Sequence, residues 1–206
     1  MPVKVKICGI TNLPDGLAAA NAGADAVGFV FYEKSPRATT VEAAAGIARE
    51  LPSELVKVGV FVNPTEELVI QARDRCGLNI LQFHGDESPE FCLQFGVMSM
   101  KAFSIRDRLS LTALGDYKTD AWLLDAYSPG QIGGTGHTFN WDLAVEAGKH
   151  GRPIFLAGGL TPENVEEAVR RVRPYAVDVS SGVEAAAGRK DHAKVSAFIQ
   201  AAKGAG

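Results

Sequence analysis

Short apolar runs and longer segments of helical period alternate along the whole chain. Residues 3–8, 26–31, 56–62, 79–83, 98–103, 121–125, 154–157 and 176–180 are rich in branched or aromatic side chains and are of strand length. Between them the period changes. Val41, Ala44, Ala45, Ile47, Ala48 and Leu51 fall on one face of a helix over 41–51. Thr65 before Glu66 and Glu67 reads as an N-cap and acidic first turn. Thr161-Pro162-Glu163-Asn164 opens a further helix, with Thr161 as cap and Pro162 at the first helical position. Ser88-Pro89-Glu90 has the same form. Asp191 caps a last helix that ends near Lys203, with Gly204 behind it. Residues 104–119 carry the weakest helical signal, and a short helix or a loop is expected there.

Eight strands, each followed by a helix or a loop, predict a single-domain (β/α)8 barrel, an α/β TIM barrel spanning residues 1–206. Parallel neighbours need crossovers of this kind, and closure leaves no sheet edge exposed. An open doubly wound sheet is the rival. No Gly-x-Gly-x-x-Gly follows the first strand to support it.

Composition narrows the function classes. The chain has 206 residues, is 46% hydrophobic and carries a net charge of −3, enough for one large core and with no bias toward nucleic acid or a membrane surface as partner. No apolar run approaches the roughly 18 residues of a membrane span, and the N-terminus has no apolar signal region. Cys8, Cys76 and Cys92 match no zinc spacing and are expected to be free thiols in a reducing cytoplasm, the last two as small core residues.

In this fold chemistry sits where the strands end. Those positions are Cys8, Asn63, His84, Asp125, Gly158-Gly159 and Ser180-Ser181-Gly182, with Ser35-Pro36-Arg37 in the second loop. Cys8 shares its strand face with Lys4 and Lys6, opposite Val3, Val5 and Ile7. If the apolar set meets the helices, Cys8 faces the barrel axis with lysines below it to favour the thiolate. Asp125 closes the run Trp122-Leu123-Leu124, where partial loss of water favours the neutral acid. The alternative is a turn or cap aspartate. Glycines and serines after strands seven and eight suit a phosphate, which Gly158, Gly159, Ser180, Ser181 and Gly182 would hold. Gly133-Gly134-Thr135-Gly136 forms a third cluster, with no Lys-Ser/Thr pair to make it a P-loop; Gly134 and Gly136 are expected to add amides to the phosphate. Arg37 suits a carboxylate or an aromatic ring, or is a solvated charge. Asp178, in phase with Ser180, either touches a sugar hydroxyl or amine or is a buried ion-pair partner. Lys101 is expected to be an interior lysine paired with a carboxylate. Gln82 and His84 share a face and are expected to shape the substrate site. His84 lacks the companions of a metal ligand set.

Seven segments together resemble the phosphoribosylanthranilate isomerase family. They are Lys6-Ile7-Cys8-Gly9-Ile10-Thr11, Ser35-Pro36-Arg37, Gln82-Phe83-His84-Gly85-Asp86, Leu124-Asp125, Gly133-Gly134-Thr135-Gly136, Leu156-Ala157-Gly158-Gly159-Leu160 and the run from Asp178 to Glu184, in the family's order over nearly the whole chain. The resemblance implies an Amadori rearrangement of N-(5-phosphoribosyl)anthranilate to the 1-amino-1-deoxyribulose phosphate, in tryptophan biosynthesis, without cofactor or metal. It implies Asp125 as general acid, Cys8 as general base, Arg37 on the anthranilate moiety and the glycine loops on the phosphate. The protein would be a monomer or a homodimer. Three positions depart from the family's habit. Asn12 stands where arginine is frequent, and His137 and Asn140 stand where lysine and aspartate are frequent.

Other phosphosugar barrels fit less well. An epimerase would need metal-binding histidines and acids at its strand ends. The histidine-pathway isomerase would be expected to carry aspartate where Cys8 stands, and an aldolase would need Lys101 as nucleophile. A non-catalytic phosphosugar-binding barrel would have no use for both Cys8 and Asp125.

Overall fold

A computed structural model describes residues 2–126 and 141–206. Gly134 and Gly136, with His137 and Asn140, lie outside the described residues. The strands are β1 (Lys4–Cys8), β2 (Ala26–Val30), β3 (Val56–Phe61), β4 (Ile80–Phe83), β5 (Met98–Ile105), β6 (Ala121–Ala126), β7 (Ile154–Leu156) and β8 (Ala176–Val179). They close into a parallel barrel in chain order, with β8 returning to β1. This is the expected (β/α)8 architecture. Among the described residues no helix is long and apolar enough to cross a membrane.

Two apolar layers follow from the alternation along each strand. Val5, Ile7, Leu81, Phe83, Trp122, Leu124, Val177 and Val179 face outward into the core shared with the helices. Ala26, Val58, Met100, Ala102, Leu123, Phe155 and Ala176 fill the barrel axis. The inner layer is apolar along the axis and gives way to polar residues at the upper strand ends, where chemistry in this fold is placed. Inside the barrel, neighbouring strands must share space. A Cβ at Gly28 would lie 2.8 Å from Cys8 Sγ and 3.3 Å from the Lys6 side chain. Glycine at 28 is what lets both polar groups turn inward.

The helices are α1 (Leu13–Asn21), α2 (Val41–Glu50), α3 (Glu66–Cys76), α4 (Pro89–Leu93), α5 (Trp141–Gly148), α6 (Val165–Val172) and α7 (His192–Gly204). Thr40, Thr65, Ser88 and Asp191 cap α2, α3, α4 and α7 through their side chains. Asn12 caps α1 by accepting from Asp15 N at 3.0 Å, which gives the residue that departs from the family habit a local task. The weak fifth unit is a 3-10 segment, Arg108–Asp116.

One expected helix start is corrected. The sixth helix begins at Val165, not beside Thr161. Asn164 Oδ1 accepts from Thr161 N (2.8 Å) and its Nδ2 donates to Gly159 O (2.9 Å), so residues 161–164 are closed as a turn before the helix starts. The loop after β8 also holds a short 3-10 segment, Ser181–Val183, and an unanticipated hairpin, β9 (Glu184–Ala186) with β10 (Arg189–Lys190). Thr11 donates to Gly188 O (2.6 Å) and Asp15 accepts from Lys190 N (2.9 Å), which ties this hairpin to the loop after β1 and to the first turn of α1.

Candidate active site

One cleft at the upper mouth collects almost every residue singled out above. Its lining includes Cys8, Arg37, Gln82, His84, Asp125, Gly158, Gly159, Asp178, Ser180, Ser181 and Gly182. Tyr32 and Val60 complete its apolar wall, and neither carried a sequence signal of its own.

Cys8 is buried against Val30, Val60 and Tyr32, on the inward face that alternation assigned to it. The two lysines of its face behave differently. Lys4 lies at the opposite end and pairs with Asp25 at 2.9 Å. Lys6 is fully buried below the thiol, and its ammonium meets Asp178 at 2.8 Å. Burial depresses the Lys6 ammonium, but Asp178 and Cys8 outweigh it and raise its pKa above the ordinary amine value. For Cys8, burial dominates and pushes the thiol up; Lys6 pulls it back only in part. The expected shift toward thiolate is therefore reversed in the free site. Desolvation exceeds the attraction of a lysine whose charge Asp178 already balances.

Asp178 is thus an ion-pair partner while it also lines the cleft. Its register explains the pairing, because Asp178 and Lys6 are direct neighbours across β8 and β1. Asp125 is buried at the end of β6, and its Oδ2 lies 3.4 Å from His84 Nε2. Gln82 Nε2 lies 3.2 Å from His84 Nδ1, so Gln82 orients the ring that faces Asp125. His84 Nε2 and Gln82 Oε1 are buried with no well-aligned partner among the described residues. Such groups are expensive to bury unless a ligand completes them.

Arg37 is held from the far side of the cleft. Its Nε and Nη2 donate to the two carboxylate oxygens of Glu184, each at 2.8 Å. Glu184 also meets Lys190 Nζ at 3.0 Å. Burial raises the Glu184 carboxyl, yet Arg37 and Lys190 outweigh burial and hold it below the usual carboxylate range. Burial in turn lowers the Lys190 ammonium. The Arg37–Glu184 contact joins residues 147 positions apart, and the sequence offered no periodicity to reveal it.

The loops after β7 and β8 meet backbone to backbone. A Cβ at Gly182 would collide with Leu160 O, inside any tolerable contact. Ser180 Oγ is buried between them and unpartnered among the described residues. Gly182→Ala is expected to destabilise the fold by about 1–3 kcal/mol through enforced loop separation. A thermal or urea unfolding midpoint against the parent checks this.

Two other candidates leave the site. Asn63 Oδ1 accepts from Asp86 N (2.7 Å), and Glu87 accepts from Asn63 N (2.8 Å), so this strand end braces a turn. Lys101 pairs with Glu87 at 2.9 Å and does not line the cleft, as expected of an interior structural lysine. Cys76 and Cys92 are buried, and burial pushes their thiols up to about 11 and about 12. Among the described residues no cluster of His, Cys, Asp and Glu is placed to hold a metal ion.

Known proteins resemble this chain over nearly its whole length. The family described as N-(5'phosphoribosyl)anthranilate (PRA) isomerase matches residues 5–201. An N-(5'-phosphoribosyl)anthranilate isomerase of Citrifermentans bemidjiense is 58% identical over 200 residues, covering 97% of each chain. The crystal structure of phosphoribosyl anthranilate isomerase from Thermotoga maritima superposes with a TM-score of 0.93 at 44% identity, covering 98% of this chain and 99% of that one. A phosphoribosyl anthranilate isomerase in complex with reduced 1-(o-carboxyphenylamino)-1-deoxyribulose 5-phosphate superposes with a TM-score of 0.89 at 43% identity, with the same coverage. The chain belongs to the N-(5'-phosphoribosyl)anthranilate isomerase family.

Proposed function

We propose that this chain isomerises N-(5'-phosphoribosyl)anthranilate to 1-(2-carboxyphenylamino)-1-deoxyribulose 5-phosphate, the family's step in tryptophan biosynthesis, with Asp125 as general acid and Cys8 as general base. The carrying observation is that one cleft brings these two residues together with Arg37 and the loops at Gly158-Gly159 and Ser180-Ser181-Gly182.

The steps balance without a co-reactant. Asp125 gives its proton to the furanose ring oxygen, the C1′–O bond breaks, and the anthranilate nitrogen lone pair forms a protonated Schiff base at C1′. Cys8 thiolate takes the C2′ proton, and the electron pair of that bond neutralises the iminium to give an enolamine. Tautomerisation moves the enol proton's equivalent to C1′ and leaves a ketone at C2′. Proton return from Cys8 to Asp125, directly or through water, restores the enzyme.

Binding fixes this geometry. Arg37 holds the anthranilate carboxylate, and the glycine and serine loops hold the phosphate, which suspends the reacting carbons between acid and base. Gln82 and His84 bound the sugar pocket beside Asp125, and Asp178 holds Lys6 under the thiol. The unpartnered Ser180 Oγ and Gln82 Oε1 support this reading, because both wait for groups that a polyol phosphate supplies.

Anthranilate fluorescence tests it, with the labile substrate generated in place from anthranilate and phosphoribosyl pyrophosphate by the preceding transferase. Rapid loss of substrate signal on adding this protein is expected. No acceleration over the uncatalysed rate, with phosphosugars still bound, would reject the assignment.

A further inference from the structure

Arg37 is expected to bind an anion, yet it is already engaged by one. The side-on edge of its guanidinium, Nε and Nη2, is spent on Glu184. The end-on edge keeps both Nη1 protons and one Nη2 proton, which is a second complete fork for a carboxylate. A clamp on one edge fixes the plane of the other, so the ordering of a long side chain is complete before the ligand arrives. The arginine stem is confined as well, since a Cβ at Gly9 would lie 2.8 Å from Arg37 Cδ.

Clamping has an electrostatic cost. An Arg37–Glu184 pair alone is neutral, and a neutral pair attracts a carboxylate poorly. Lys190 resolves this. Its side chain is fully buried, and its Nζ reaches Glu184 Oε1 at 3.0 Å and Ser180 O at 3.2 Å. The Arg37–Glu184 pair is geometrically complete without it, and burying an additional ammonium is costly. Two cations around one carboxylate leave a net charge of +1.

We propose that Glu184 and Lys190 are positioning residues for Arg37: Glu184 fixes the guanidinium plane, and the Lys190 charge cancels that of Glu184 so that the open edge of Arg37 remains effectively cationic toward the substrate carboxylate. This rests on the assignment of Arg37 to that carboxylate. Lys190 acts through Arg37 and touches no reacting atom.

Calorimetric titration with two probes separates charge from structure. One probe is reduced 1-(2-carboxyphenylamino)-1-deoxyribulose 5-phosphate; the other is its phenylamino counterpart without the carboxylate. In Lys190→Met the Kd of the first is expected to rise about three- to tenfold, and that of the second to stay within about twofold. Lys190→Gln keeps a hydrogen bond to Glu184 without the charge and is expected to match Lys190→Met, which serves if the methionine variant does not fold. Lys190→Arg is expected to bind both probes as the parent does. Equal weakening of both probes, or no weakening of the first, overturns the proposal. Arg37→Gln separates the two levels of inference. If it fails to discriminate between the probes, the assignment of Arg37 falls. If it discriminates and both uncharged Lys190 variants do not, only the role of Lys190 falls.

Discussion

Asp125→Asn is expected to lower kcat by about 10²–10⁴ while the KM for N-(5'-phosphoribosyl)anthranilate changes far less. Asparagine has nearly the shape of aspartic acid, so the contact distance to His84 and the packing of β6 should survive. What disappears is the transferable proton. An amide N–H can hydrogen-bond to the furanose oxygen but cannot protonate it as the C1′–O bond breaks. The ring would then have to open against an alkoxide leaving group. Stopped-assay turnover, read with the affinity for the reduced product, separates this from a binding defect. Preserved affinity with collapsed turnover is the expected pair of results. Turnover within about threefold of the parent, well short of the usual worth of a positioned acid, would remove Asp125 from the chemistry.

Cys8→Ser is expected to lose a comparable factor, about 10²–10⁴, and to change the pH profile as well. The base must act deprotonated. Burial raises the Cys8 thiol above its ordinary value, so only a minor fraction is thiolate in the free site at neutral pH. Raising the pH increases that fraction, and kcat/KM of the parent should climb with pH up to and through the thiol's elevated range. Serine has no comparable ionisation in that range, and its residual activity should lack the climb. The kcat/KM profile of the free enzyme, measured for both proteins in one buffer series, shows the difference. A parent profile that is flat across the thiol range, or a variant that climbs in parallel with it, would exclude Cys8 as the base.

The parts of this site that were legible in the sequence are those governed by the strand period. Cys8, Gln82, Asp125, Asp178 and Ser180 all point inward because each is an even number of residues from its strand's other inward positions. The N-caps of α3, α4 and α7 were legible for a similar reason, since a cap acts over three residues. Partnerships across the barrel were not. That Glu184 would clamp Arg37, or that Asp178 would balance Lys6, depends on which strands become neighbours and how two loops lie over the mouth. Gly28 shows the same limit, because its need to be glycine comes from the Cys8 sulfur on an adjacent strand. The sign of the Cys8 shift was missed because the charges near it were visible in sequence and the depth of burial was not. Thr161 misled for a local reason, as the Asn164 side chain closed a turn first.

The seam between β1 and β8 has a consequence for how the protein comes into being. The ion pair that underlies the thiol spans 172 positions, and the hairpin contact from Lys190 to Asp15 spans 175. During synthesis the thiol emerges with the first strand, whereas Asp178, Glu184 and Lys190 emerge among the last. Contacts of such separation form late, because the loop they close must first be ordered by everything between. A growing chain therefore carries its reactive sulfur without its ionic surroundings until the final strand docks. Ring closure and catalytic competence are one event, and a refolding experiment followed by returning activity would time the docking of β8 against β1.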